Sequence, residues 1–176
     1  MRKTYKLAIA AAALTLGPAL GQAQEWTGFY GGVQLGFANV DSNVAGSDEG
    51  VIGGLVAGYD YDLGTWVVGG GIDYDFTEID AAGPGGPELE NVWRLKLRGG
   101  YKIGDGLLYG TTGYANADTD TLGSEDGYFI GAGYEQLITE NFSLGGEVLY
   151  HEFDNFGGTA TDVEATTVQV RATFRF

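Results

Sequence analysis

His151 is the only histidine in these 176 residues, and so the only side chain whose ordinary titration falls near neutral pH. A hydrolytic site built on it needs a nucleophile and an orienting acid within hydrogen-bond reach. Serine occurs at Ser42, Ser47, Ser124 and Ser143 alone, none near His151 in the chain, and Glu152 falls on the opposite side of an extended backbone. His151 therefore reads as a rim histidine among acids, and no catalytic residue is assigned. The stretch DTDTLGSED, Asp118 to Asp126, is faintly similar to a calcium loop. However, Leu122 occupies a ligand position and Phe129 stands where the bidentate Glu belongs, so no metal site is assigned. Cysteine is absent, which removes thiolate metal sites and disulfides. Gly53-Gly54 and Gly69-Gly70-Gly71 do not complete G-x-G-x-x-G and no helical pattern follows them, so no cofactor is expected.

The residues with a usable spacing are ionic. Arg94, Lys96, Arg98 and Lys102 share one parity of a run with period two, and Arg171 and Arg175 share one parity of the run that closes the sequence, ATTVQVRATFRF. Asp60, Asp73, Asp75, Glu135 and Glu147 lie at the corresponding parity of other runs. Five acids then face six cations. The chemistry available to such a set is mutual neutralisation in a place water barely reaches. Neighbouring strands supply the pairs Asp73 or Asp75 with Arg94, and Glu147 with Arg171.

Eight alternating runs carry these side chains, near 28–39, 50–61, 65–77, 90–102, 106–116, 126–138, 141–153 and 164–176. Asp62-Leu63-Gly64, Gly104-Asp105 and Thr139-Glu140 read as tight turns. The four remaining connections, around residues 40–50, 78–90, 117–125 and 154–163, read as long, polar and mostly acidic. Long and short alternate, which puts all long loops at one end. The expected fold is an all-β, eight-stranded antiparallel up-and-down barrel with four long extracellular loops and three short periplasmic turns. A soluble barrel shares that strand count and differs in which face is apolar.

Aromatic spacing separates the two. Phe29 and Phe37, Trp66 and Tyr74, Trp93 and Tyr101, and Phe142 and Tyr150 are each eight residues apart on the apolar parity of their strands. Eight residues of tilted strand rise about 20 Å, close to the apolar band of about 25 Å between the two aromatic girdles of a membrane barrel. The apolar face is accordingly expected to point outward and the charges inward, in a lumen only wide enough for its own side chains. The run GLLYGTTGYAN, residues 106–116, has no clear parity.

Arg2, Lys3 and Lys6, the apolar stretch Leu7 to Leu16, and the small residues Gly21-Gln22-Ala23 have the layout of a cleaved signal peptide over residues 1–23, leaving 24–176 as the barrel domain. With those three of the nine basic residues removed, six cations face 24 acids, a balance that argues against nucleic acid as a partner.

The opening WTGFYGGVQLGF, Trp26 to Phe37, and the closing VQVRATFRF resemble the first and last strands of small Gram-negative outer-membrane barrels. These are the porin-like, immunogenic or opacity-type surface antigens, similar to the transmembrane domain of OmpA. The resemblance spans the mature chain. It implies a monomeric surface barrel among outer-membrane lipid and lipopolysaccharide, contributing to envelope structure or surface interaction, and the lack of a catalytic constellation makes the expected role non-enzymatic. It also implies that Phe174 and Phe176 form the segment recognised by the outer-membrane assembly machinery. A small pore or ligand channel, and a soluble periplasmic lipid or haem carrier, are the alternatives.

Overall fold

Strict alternation gives each strand two unlike walls, and a closed cylinder is the arrangement that keeps every such wall on its own side. The computed structural model describes residues 26–42, 46–80, 88–119, 123–153 and 163–176. Its strands are β1 (Gly28–Ser42), β2 (Gly46–Asp62), β3 (Trp66–Asp80), β4 (Glu88–Ile103), β5 (Gly106–Thr119), β6 (Gly123–Leu137), β7 (Phe142–Phe153) and β8 (Val163–Arg175). Each strand pairs antiparallel with the next, and β8 pairs back to β1, closing the barrel. The expected leader, residues 1–23, lies outside the described residues.

The turns are tight where the sequence places them. Gly104 and Gly64 adopt φ of 61° and 95°, left-handed values that glycine takes without strain. At the other end the strands run further than expected. β1 continues to Ser42 and β2 starts at Gly46, while β5 continues to Thr119 and β6 starts at Gly123. Much of what reads as loop is therefore paired strand. The cause is that alternation is read from side chains, whereas a strand continues as long as its backbone is paired. Segments 43–45, 81–87, 120–122 and 154–162 lie outside the described residues.

Facing is unambiguous. On β4, Leu95 and Leu97 are 52% and 65% exposed while Arg94, Lys96 and Arg98 are buried. On β8, Val168 and Val170 are exposed while Gln169, Arg171, Thr173 and Arg175 are buried. The apolar wall is the outer one. A soluble lipid or haem carrier requires the reverse, because an outer wall of leucine, valine and aromatic rings has no stable contact with water; that alternative is overturned. β5 is also settled: Leu107, Tyr109, Thr111 and Ala115 are buried inside, and Leu108 is exposed.

Glycine makes the interior fit. Tyr30 lies opposite Gly58 across β1 and β2, and Tyr109 opposite Gly133 across β5 and β6. A Cβ on Gly133 would sit 2.5 Å from the Tyr109 ring, so only a bare backbone lets the phenol lie flat against the wall. Gly133→Ala is expected to displace Tyr109 and destabilise the barrel by about 1–3 kcal/mol. Denaturant titration of detergent-folded protein, followed by heat-modifiable gel migration, measures it; an unshifted midpoint would mean the ring has room to move.

Candidate functional site

The alternating backbone of β4 aims three cations inward in succession, and β8 aims two. Their partners come from four other strands. Nearest the short-turn end, Arg98 contacts both oxygens of Asp60, with Nε to Oδ1 at 2.8 Å, and reaches Glu135 at 2.8 Å. Arg175 contacts the same two acids, Asp60 at 2.7 Å and Glu135 at 3.1 Å. Arg98, Asp60, Arg175 and Glu135 thus close a four-membered ring of alternating sign, contributed by β4, β2, β8 and β6. Ser143 and Thr173 donate to Glu135 Oε1 at 2.6 and 3.0 Å.

A second ring sits above the first. Lys96 bridges Asp73 at 2.9 Å and Glu147 at 2.5 Å, and Arg171 bridges the same acids at 3.3 and 3.1 Å. Arg94 adds to it through Asp75, which it contacts directly, and through Asp73 at 3.8 Å. Gln34 donates to Asp75 at 2.6 Å, and Gln169 and Tyr109 donate to Glu147 at 2.8 and 2.9 Å. Each level is neutral, two cations with two acids below and three with three above. Buried charges survive only when they are paired and hydrogen-bonded, and both conditions hold here.

The sixth cation departs from expectation. Lys102 remains 23% exposed at the short-turn rim, where it bonds Asp62 at 2.6 Å. Among the described residues the interior count is therefore five cations to five acids, and the excess inferred from parity disappears because Lys102 pairs with Asp62 at the rim.

Below the lower ring the lumen has an apolar floor. Trp26 packs with Val67, Leu107, Tyr109 and Leu137. Its amide donates to Asp62 at 3.1 Å, its carbonyl accepts from Arg175 at 3.1 Å, and the Arg175 guanidinium lies 4.3 Å from its ring. Trp26, Tyr30, Tyr109 and the amides Gln34 and Gln169 are functional-site residues that sequence reading missed. Tyr30 was legible, because it falls on the parity opposite Phe29; Trp26 precedes β1 and has no parity to read.

The eight aromatics of the bilayer-matched interval all lie on the outer wall, in two tiers. Phe29, Trp66, Tyr101 and Phe142 form the tier at the turn end, and Phe37, Tyr74, Trp93 and Tyr150 the other. Cross-strand neighbours touch edge to face: Phe29 with Tyr59 at 4.9 Å, and Trp66 with Tyr101 at 5.2 Å. Phe174 and Phe176 stack similarly at 5.2 Å on the outer side of β8.

His151 and Ser143 do not meet. His151 is buried, with Nε2 3.3 Å from Arg94 and Nδ1 3.4 Å from the Ala165 carbonyl. Ser143 is on the same strand eight residues away, about 26 Å, and is committed to Glu135 and Thr173. Among the described residues no group of three His, Asp or Glu is disposed to hold a metal ion.

Residues 8–176 match the family model described as outer membrane protein beta-barrel domain. A 22 kDa outer membrane protein of Rhizobium leguminosarum bv. viciae is 32% identical over 145 residues, covering 76% of this chain and 67% of that protein. Among solved structures, Neisserial surface protein A superposes with a TM-score of 0.59 at 17% identity, covering 85% of this chain and 98% of that one. Ail, the attachment invasion locus protein of Yersinia pestis, gives 0.54 at 19% identity, covering 85% and 99%. At these identities the structures speak to fold alone, and the family model together with the Rhizobium relative speaks to kinship. An inside-out strand pattern and an unrelated line of comparison thus reach one answer: the chain belongs to the outer membrane β-barrel domain family, and its place is the outer membrane of a Gram-negative cell.

Proposed function

We propose that this protein is a non-enzymatic, monomeric barrel whose interior is a structural core and whose work is done at the outer wall and the extracellular rim. The observation that carries the reading is the pair of closed charge rings. Arg98 to Glu135 joins β4 to β6 and Arg175 to Asp60 joins β8 to β2, so side chains cross the lumen in two directions at one level. The ring above repeats this, and Trp26 underlies both. A solute path along the axis meets protein at each level. The two aromatic tiers fit the role of girdles against the bilayer interfaces, and Phe174 and Phe176 fit the role of the segment read by the assembly machinery.

The rim limits what the surface can meet. Segments 38–53, 76–93, 115–128 and 152–167 carry acids and no Lys or Arg. Ail has been solved with the heparin analogue sucrose octasulfate, a dense polyanion. That ligand does not carry over, because like charge repels it within a Debye length of about 8 Å at physiological salt. Lipopolysaccharide contact is then through sugar and acyl chain rather than by direct pairing of side-chain cations with phosphate.

Two experiments test this reading. In planar bilayers the folded protein is expected to be silent; a discrete conductance that changes with Arg98→Gln or Glu147→Gln would establish the pore instead. Folded protein is also expected to pass through heparin resin unretained at physiological salt, and retention there would overturn the electrostatic assignment of the rim.

The structural role of the rings has its own measure. Arg98→Gln leaves two buried acids short of a partner and is expected to cost about 3–5 kcal/mol. Lys102→Gln, at the wet rim, is expected to cost about 1 kcal/mol or less. Equal unfolding midpoints for the two variants would remove the lumen rings from the stability of the barrel.

A further inference from the structure

Closing the cylinder requires β8 to find one register against β1, and the outer wall does not specify it. Val168, Val170, Ala172 and Phe174 are all apolar, and so are Val33, Leu35 and Phe37 opposite them. Because the side-chain period is two, a slip of two residues keeps apolar groups in lipid and polar groups inside. The inner wall of β1 does not forbid the slip either. Gln34, opposite Arg171, is flanked by Gly32 and Gly36, so an arginine moved two places in either direction meets a glycine.

We propose that Arg171 and Arg175 are the register key of the closing strand. Each straddles the seam. Arg171 holds Glu147 of β7, on its own side, and Asp73 of β3, beyond β1. Arg175 holds Glu135 of β6, on its own side, and Asp60 of β2, beyond β1. A two-residue slip at the seam leaves Glu147 and Glu135 in place and carries Asp73 and Asp60 about 7 Å along the wall. Both arginines then lose their far partner together, since their four-residue spacing moves as a unit. Two buried acids are left short of charge at once, and the alternative closed barrel is disfavoured although its lipid face is sound. Arg171 and Arg175 act here as positioning residues.

The chain has no cysteine, so cysteine pairs report register cleanly. Leu35 faces Val170 in the native seam, whereas a slip sets Leu35 against Val168 or Ala172. Three pairings are compared in folded barrels by disulfide formation: Leu35→Cys with Val170→Cys, with Val168→Cys and with Ala172→Cys. With native arginines only the 35–170 bond is expected. With Arg171→Gln and Arg175→Gln the native-to-slipped ratio is expected to fall about tenfold or more, the factor that ~1.4 kcal/mol between registers produces. A second variant moves the charges two places while conserving their number: Gln169→Arg, Arg171→Gln, Thr173→Arg and Arg175→Thr. It is expected to shift the dominant bond to 35–168. Retention of the 35–170 bond alone in either variant overturns the proposal. So does failure of the relocated variant to form a barrel, because the arginines would then supply folding energy without choosing the register.

Discussion

Hydrocarbon offers no hydrogen-bond partner, so each backbone amide and carbonyl that crosses the bilayer must be satisfied by another strand. From that requirement most of this molecule follows. An open sheet leaves two unpaired edges, and only closure of β8 on β1 removes them. Closure with eight strands produces a lumen too narrow for water to solvate ions freely. The interior must then be filled, and whatever fills it must be neutral level by level. The two rings meet that condition: Asp60, Asp73, Asp75, Glu135 and Glu147 each touch at least one cation.

A polar core of this kind is an expensive way to hold a barrel shut, since desolvation of paired charges consumes much of what their attraction returns. Its advantage over an apolar core is selectivity. Leucines and valines pack acceptably in several registers, whereas Arg98 gripping Asp60 through two nitrogens does so in one geometry. An apolar interior would also resemble the exterior, and the strands would lose the distinction that tells them which face to turn toward lipid. Putting charges inside thus defines both inside and register. The glycines opposite Tyr30 and Tyr109 belong to the same economy of space, giving up side chains of their own so that broad phenols can lie under the Arg98 guanidinium, 4.7 and 5.2 Å from it.

Strand number, strand order and facing were legible in the sequence because each is written in period two. The pattern is repeated on several strands, so an error on one is outvoted by the rest. β5 shows the limit: Leu107, Leu108 and Tyr109 are apolar in succession, and the room for an inward Tyr109 comes from Gly100 on β4 and Gly133 on β6, which only the register reveals. The strand ends were misread because alternation reports the environment of side chains, while a strand ends where pairing ends. Of the site, the pairs Arg94 with Asp75 and Arg171 with Glu147 were readable from parity and neighbouring strands. Their assembly into rings was not. Arg98 reaches β2 and β6, neither of which is its neighbour, and a contact across a lumen depends on the curvature of the whole cylinder.

Trp26 shows why curvature matters beyond the strands themselves. It belongs to no strand, yet its ring closes the floor of the barrel and its backbone is bound by Asp62 from β2 and Arg175 from β8. Those two strands flank β1 on either side, so the residue before the first strand ties together its two neighbours. A cylinder has this property and an open sheet does not: the residue that leads into the first strand, the closing strand and the first hairpin meet in one place. Packing is close where they meet, with Trp26 and Leu107 essentially inaccessible beneath a salt-bridged arginine. The seam is thus fastened at its floor, keyed along its inner wall and sheathed in apolar side chains, so closure is held from three directions at once.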